Sequence, residues 1–127
     1  MKYLKVDKVI DLHEKLIERY GGSKGIRDNG LLISSVKSVF QTYGGDELYP
    51  TDIDKIVQAS FSLVKNHCFI DGNKRIGMML LLYLLEINNF KHNLTNEDII
   101  KLGLELASGE MTKEDLKTFI ENKIIND

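Results

Sequence analysis

Residues 67–85 read HCFIDGNKRIGMMLLLYLL, a polar loop that runs directly into an apolar stretch. Met78 to Leu85 is apolar on nearly all sides, which predicts a central, buried helix. The loop before it then delivers polar side chains to the N-terminus of that helix. The first N–H groups of a helix have no partner within it, and the helix dipole adds partial positive charge there. The stretch therefore predicts an anion site beside the core, suited above all to phosphate.

The rest of the chain carries further helix signals. Apolar residues at helical spacing from Val6 to Tyr20 predict a helix that Gly21-Gly22 ends, with His13 and Tyr20 on its inward face. We interpret His13 as a core histidine with one hydrogen-bond partner. Leu31 to Phe40 predicts a short helix. Three Thr-x-x-Asp pairs have the pattern of a capping box at a helix start: Thr51 with Asp54, Thr95 with Asp98, and Thr112 with Asp115. Together these signals predict an all-α fold.

One short segment departs from the helical pattern. Gly44-Gly45-Asp46 has turn chemistry between Thr42-Tyr43 and Leu48-Tyr49, which predicts a small β-hairpin. An ordinary connecting loop is equally compatible with these residues.

Length and composition bound the class of protein. A chain of 127 residues is expected to form one domain, 1–127. The net charge of −2 gives no basic footprint for direct nucleic-acid binding. The single cysteine, Cys68, excludes an internal disulfide and fits a reducing compartment. The longest apolar run stops at Glu86, short of the ~18–20 residues that a membrane span needs. With no secretory apolar segment at the N-terminus, these observations favour a cytoplasmic protein without a membrane partner.

The polar loop combines the residue types that phosphate chemistry needs. Lys74 and Arg75 are cationic donors, and arginine can grip phosphate oxygens with two bonds. Asp71 is a hard carboxylate of the kind that binds Mg²⁺. His67 can take a proton from a hydroxyl near neutral pH, and Gly72 permits close backbone approach to a ligand or a positive φ.

Structural interpretations of the same region stay open beside the chemical one. Gly72-Asn73 alone is typical of a simple turn between helices. Phe69 is interpreted as the apolar anchor of the loop, and Cys68 as a small packed residue rather than a nucleophile. Upstream, Arg27 and Asp28 are interpreted as a local pair that clamps the start of the next helix.

The spacing from His67 to Arg75 resembles the signature of the Fic/Doc family, H-P-F-x-[D/E]-G-N-[G/K]-R, with Cys68 in place of the proline. The surroundings are more similar to the death-on-curing (Doc) branch than to the larger Fic enzymes. Residues 21–32 resemble the upstream segment of that branch, and residues 40–50 resemble its flap region. The resemblance covers most of the chain.

The resemblance implies a compact Fic-type helical bundle with a hairpin flap, and a transferase that uses ATP and Mg²⁺. It implies His67 as the base, Asp71 as the metal ligand, Gly72 and Asn73 as the anion cradle, and Lys74 and Arg75 as phosphate-neutralising groups. The flap, implied at Thr42, Tyr43, Gly44 and Gly45, would line up an extended segment of the target protein through main-chain hydrogen bonds.

Two departures leave the reaction open. Many nucleotidylating Fic enzymes carry a second arginine where this chain has Met78, whereas Doc-type kinases carry alanine where it has Gly72. We favour AMP transfer to a protein hydroxyl on the basis of Gly72. Phosphorylation of a translation factor by a Doc-type kinase is the alternative, and a catalytically idle binding module is a second one.

The family's internal inhibitory pattern, [S/T]-x-x-x-E-[G/N], does not occur in this sequence. The resemblance then implies inhibition by a separate antitoxin protein, with this chain as the toxin of a toxin–antitoxin pair.

Overall fold

The computed structural model describes residues 1–126, and most of these residues are helical. Strands β1 (Thr42–Tyr43) and β2 (Asp46–Glu47) are the two strands of one small hairpin, and a 3₁₀ turn spans Ser38–Phe40. The helices are α1 (Val6–Tyr20), α2 (Asn29–Lys37), α3 (Asp52–Lys65), α4 (Asn73–Ile87), α5 (Asn96–Ser108) and α6 (Lys113–Lys123). The predicted all-α fold with a short hairpin is confirmed.

All three predicted capping boxes are present, at the starts of α3, α5 and α6. In each, the threonine hydroxyl accepts from the N–H three residues on, and the aspartate accepts from the threonine N–H. A threonine cap of this kind stabilises a helix by about 1 kcal/mol. These helix starts are therefore fixed by bonds that span only four residues.

Helices α3 and α4 pack against each other at the centre of the molecule. The inward residues of α4 are fully buried: Ile76, Leu80, Leu81, Leu84 and Leu85. A Cβ atom on Gly77 would lie 2.3 Å from Val64 Cγ2, so this glycine permits the close approach of the two helices. The predicted central helix is confirmed, and α3 shares the centre with it.

The first helix is predicted correctly in its bounds but not in all of its inward face. Val9, His13, Leu16 and Ile17 are buried, whereas Tyr20 is 61% exposed. Tyr20 is the last residue of α1, and this end of the helix extends beyond the core. The inward assignment of Tyr20 was therefore wrong.

The hairpin turns at Gly44 and Gly45, whose φ values of +60° and +87° lie in the left-handed region. Two such residues in succession match the twist of paired strands. Thr42 pairs with Glu47, and Tyr43 with Asp46. The buried ammonium of Lys55 on α3 donates to the Tyr49 carbonyl and lies 3.1 Å from the Glu47 carboxylate. The hairpin is thus attached to the central helix pair.

Across residues 1–126, every helix falls short of the length and apolar character required to cross a membrane.

Candidate active site

An open pocket of about 410 Å³ lies at the N-terminus of α4. It is lined by all the residues predicted for the base, the metal ligand and the phosphate cradle: His67, Asp71, Gly72, Asn73, Lys74 and Arg75. Ile70 and Ala107 complete the lining, and the hairpin residues Thr42–Gly45 do not contribute to it in the described part of the chain. The structure therefore brings the motif together and sets the predicted flap apart from it.

His67 follows the C-cap of α3 directly and has a φ of +49°. Asn89 is the other non-glycine residue with positive φ within residues 1–126. The His67 side chain is exposed, and its ring has no hydrogen-bond partner among the described residues. Its ring is therefore free to meet a substrate, and the backbone of residue 67 sets the direction of the Cα–Cβ bond that carries it.

The loop from His67 to Gly72 is anchored from below by Phe69 and His13. Phe69 is 1% exposed, and the His13 ring stacks on it with centroids 3.8 Å apart and planes 10° from parallel. The His13 Nε2–H donates to the Asp71 carbonyl at 2.7 Å. Because that carbonyl can only accept, the proton of His13 sits on Nε2. The predictions of a core histidine and an apolar anchor are both confirmed.

The Asn73 side chain bonds the same loop rather than the pocket. Its Oδ1 accepts from the Phe69 N–H at 3.1 Å, and its Nδ2 donates to the Phe69 carbonyl at 2.9 Å. This pair of bonds fixes the orientation of the amide and uses one of its two N–H donors. Asn73 can also present to an anion its backbone N–H, which opens the first turn of α4 and has no partner within the helix.

The Asp71 carboxylate is held by two backbone groups. Its Oδ2 accepts from the Ser23 N–H at 3.0 Å, and its Oδ1 accepts from the Gly72 N–H at 2.8 Å. These bonds, helped by the charge of Arg75, hold the Asp71 pKa below its usual value. The carboxylate is therefore ionised at neutral pH, with lone pairs left for a cation.

Gly72 is the N-cap of α4 and has a φ of +77°, as the sequence predicts for a residue in this tight loop. A methyl group at this position would lie 3.2 Å from Ile17 Cδ1 and 3.4 Å from His13 Nε2. Both atoms belong to α1. A side chain at position 72 would therefore crowd the helix beneath the loop, not the pocket.

Lys74 and Arg75 are exposed on the first turn of α4. Arg75 Nη1 donates to the Gly21 carbonyl at 2.9 Å, which leaves its other N–H groups for a ligand. Neither side chain is paired with a carboxylate among residues 1–126. The two cations and the ionised Asp71 give the pocket its mixed charge.

Cys68 is fully buried, and burial raises the pKa of its thiol. A buried thiol with a raised pKa is a poor nucleophile. The interpretation of Cys68 as a small packed residue agrees with this geometry.

Arg27 and Asp28 act separately instead of forming the predicted pair. The Asp28 carboxylate caps α2 by accepting from the Leu31 N–H at 2.9 Å, so the clamp at that helix start is present. Arg27 instead donates from Nε to the His67 carbonyl at 2.5 Å and from Nη2 to the Asn66 carbonyl at 3.1 Å. The sequence pattern did not predict this contact, nor the bonds of Gly21 to Arg75 and of Ser23 to Asp71. Each of these joins segments about forty or more residues apart.

No group of three or more histidine, cysteine or acidic side chains able to hold a metal occurs within residues 1–126. Among the described residues, Asp71 is the one carboxylate that lines the pocket. This donor set does not fit a resident transition metal, which takes three or four protein ligands. It does fit Mg²⁺ that arrives with a nucleotide, because Mg²⁺ usually binds through one or two carboxylates plus substrate phosphates.

Comparison with known sequences agrees with the motif. The sequence profile of the Fic/DOC family matches residues 3–85, from the chain start to the end of the α4 core. The chain belongs to the Fic/Doc family. The matched range contains the complete Fic/Doc motif and the hairpin.

Two curated relatives bear Doc in their names, in agreement with the predicted branch. The chain is similar to Toxin Doc of Mycolicibacterium smegmatis, with 38% identity over 69 residues, which cover 54% of this chain and 53% of that protein. It is also similar to Protein kinase doc of Escherichia phage P1, with 27% identity over 114 residues. That second match covers 88% of this chain and 87% of the phage protein.

Proposed function

We propose that this Fic/Doc protein transfers a phosphate group from ATP to a hydroxyl side chain of a target protein. One observation carries the proposal: an exposed histidine, an ionised carboxylate and two cationic side chains line one pocket at a helix N-terminus. Transfer at phosphorus depends on positioning and charge neutralisation more than on covalent help from the enzyme. A pocket lined in this way supplies both.

In the proposed reaction His67 is the general base. Its imidazole accepts the proton of the target hydroxyl while the hydroxyl oxygen forms a bond to the γ-phosphorus of ATP. The bond from that phosphorus to the bridging oxygen breaks, and ADP leaves with the electron pair. General-base catalysis of this kind contributes about 10²–10⁴-fold in rate.

The first turn of α4 would hold the phosphate oxygens. The backbone N–H groups of residues 73–75 point out of the helix end and have no acceptor within it. Lys74 and Arg75 add positive charge at the same place, and both side chains are exposed to the pocket. Asp71 would hold Mg²⁺, which supplies positive charge against the phosphate oxygens when bound.

Two observations favour phosphate transfer over AMP transfer. The relative that aligns with 88% of the chain is named a protein kinase. Met78, 4% exposed, stands where many nucleotidylating Fic enzymes have a second arginine, so the side chain there cannot donate to a triphosphate.

AMP transfer is the second candidate, because Gly72 matches the general Fic signature whereas Doc-type kinases carry alanine there. In that reaction the α-phosphorus is attacked and pyrophosphate leaves. The glycine at position 72 is weaker support for AMP transfer in the structure than in the sequence alone, because a methyl group there would face α1 and not the pocket.

The biological role that we propose is that of a toxin. A relative is named Toxin Doc, and the sequence has no internal inhibitory glutamate pattern of the Fic type. A separate antitoxin protein would then restrain the enzyme. By the resemblance to Doc, a translation factor is the first target to test.

The test compares wild-type protein with His67→Asn, induced side by side in bacteria at matched soluble levels. Asparagine removes the base but tolerates the left-handed backbone that position 67 requires. We expect the wild-type chain to slow growth and the variant not to. Lysate incubated with ATP and Mg²⁺, then analysed by mass spectrometry, should show a target that gains a phosphate only with the wild-type protein.

The other outcomes separate the alternatives. If the target protein gains an adenylate group instead of a phosphate, the reaction is AMP transfer and not the proposed phosphate transfer. Equal slowing of growth by both chains, without modification of any protein, would favour an idle module that sequesters a partner. Equal growth of both cultures would remove the toxin role.

A further inference from the structure

The left-handed backbone at His67 is supported from outside the motif by one side chain, that of Arg27. The guanidinium donates from Nε to the His67 carbonyl at 2.5 Å and from Nη2 to the Asn66 carbonyl at 3.1 Å. Two adjacent carbonyls at the C-terminal end of α3 are thus held by one planar group. A cation at this end of a helix is also favoured by the helix dipole.

The backbone of Arg27 is itself fixed against the motif loop. Its N–H donates to the Cys68 carbonyl at 2.8 Å. The Ile70 N–H donates to the Gly25 carbonyl at 3.1 Å, and Ile26 forms a β-bridge with Phe69. The guanidinium therefore starts from a fixed position. Arginine suits the task because its fork is rigid, whereas the ammonium of lysine is a single point charge on a flexible stem.

The His67 ring has no hydrogen bond of its own. It is exposed and unbonded within the described part of the chain, so the protein places the ring through the backbone of residue 67, which sets the direction of the Cα–Cβ bond. That backbone has a φ of +49°, which a non-glycine residue rarely adopts unless its surroundings hold it.

We propose that Arg27 is a positioning residue that holds the His67 backbone in its left-handed conformation and so aims the catalytic base at the pocket. Arg27 does not line the pocket, and its effect passes through residue 67. The proposal rests on the proposed function only in taking His67 as the base.

The kinetic test uses Arg27→Ala, Arg27→Lys and the control Arg19→Ala. Arg19 is an exposed arginine in the last turn of α1, beside the Tyr20 ring. For Arg27→Ala we expect kcat to fall about 10- to 100-fold, since small misplacement of a catalytic group can cost that much. The KM for ATP should stay near the wild-type value, because the phosphate cradle is anchored separately by Phe69 and His13. The kcat of Arg27→Lys should lie between those of Arg27→Ala and wild type, and the kcat of Arg19→Ala should match wild type.

A second measurement does not depend on activity. We expect the NMR order parameter of the His67 backbone amide to fall in Arg27→Ala, with no such fall at His92, which lies outside the motif. An order parameter at His67 equal to that of wild type would overturn the proposal, as would a normal kcat in a variant with a loosened His67. If wild-type protein transfers nothing but His67 loosens in the variant, the proposed function fails and the support of His67 by Arg27 stands.

Discussion

Replacing Gly72 by alanine tests two things: how closely the motif loop packs on α1, and whether residue 72 selects between AMP and phosphate transfer. The residue has a φ of +77°, and such a backbone costs an alanine roughly 1–2 kcal/mol. The new methyl group would also lie 3.2 Å from Ile17 Cδ1 and 3.4 Å from His13 Nε2, closer than the ~3.5–4.0 Å at which carbon contacts are most favourable.

The size of each effect follows from these distances. Overpacking of a core typically costs about 1–3 kcal/mol, and the lower end applies because the end of the Ile17 side chain can give way by a few tenths of an ångström. Gly109→Ala is the matched control. Gly109 is the C-cap of α5, whereas Gly72 is the N-cap of α4. Gly109 has a similar φ of +85° and no atom within 4 Å of an added methyl group. It therefore reports the backbone cost alone, roughly 1–2 kcal/mol.

We expect Gly72→Ala to lower the free energy of unfolding by about 1 kcal/mol more than Gly109→Ala does. Urea unfolding measures both, and with a slope of about 1–3 kcal/mol per molar the two midpoints should differ by roughly 0.3–1 M. Equal midpoints would refute the close contact of the loop with α1. Because the methyl group faces α1, the mass added to the target should be the same with Gly72→Ala as with wild type. A switch between adenylate and phosphate would show that residue 72 does select the reaction.

Two further predictions concern neighbours of Gly72. The Asp71 pKa is lowered in the folded protein, so its ionised form contributes stability that is present above the ordinary carboxyl pKa and is lost as pH falls through the lowered value. The stability gap between wild type and Asp71→Asn, measured by urea unfolding, should therefore shrink on acidification; a constant gap would contradict this. Asn73→Ala removes both bonds to the Phe69 backbone and should lower the free energy of unfolding in urea by about 1–3 kcal/mol. Asn73→Asp should also destabilise, because a carboxylate oxygen would replace the Nδ2 donor and face the Phe69 carbonyl, which can only accept; a stability equal to wild type in either variant would contradict this.

Local features of the molecule follow from short stretches of sequence. The capping boxes join residues three positions apart, and the Gly44-Gly45 turn supplies its own left-handed backbone. Such signals are readable because the interacting groups lie within one turn of the chain. The same holds for the polar loop before α4, whose place at a helix N-terminus follows from the apolar run after it.

The sequence by itself determined the all-α class, the capped starts of α3, α5 and α6, the hairpin and the motif that forms the pocket. Only the tertiary structure decided how that motif is supported: Arg27 on the His67 carbonyl, His13 under Asp71, and the Asn73 amide turned inward to Phe69. The first two contacts join residues 40 and 58 positions apart. No periodicity or spacing encodes them, because they exist only once α1 and the loop after it have packed against the start of α4.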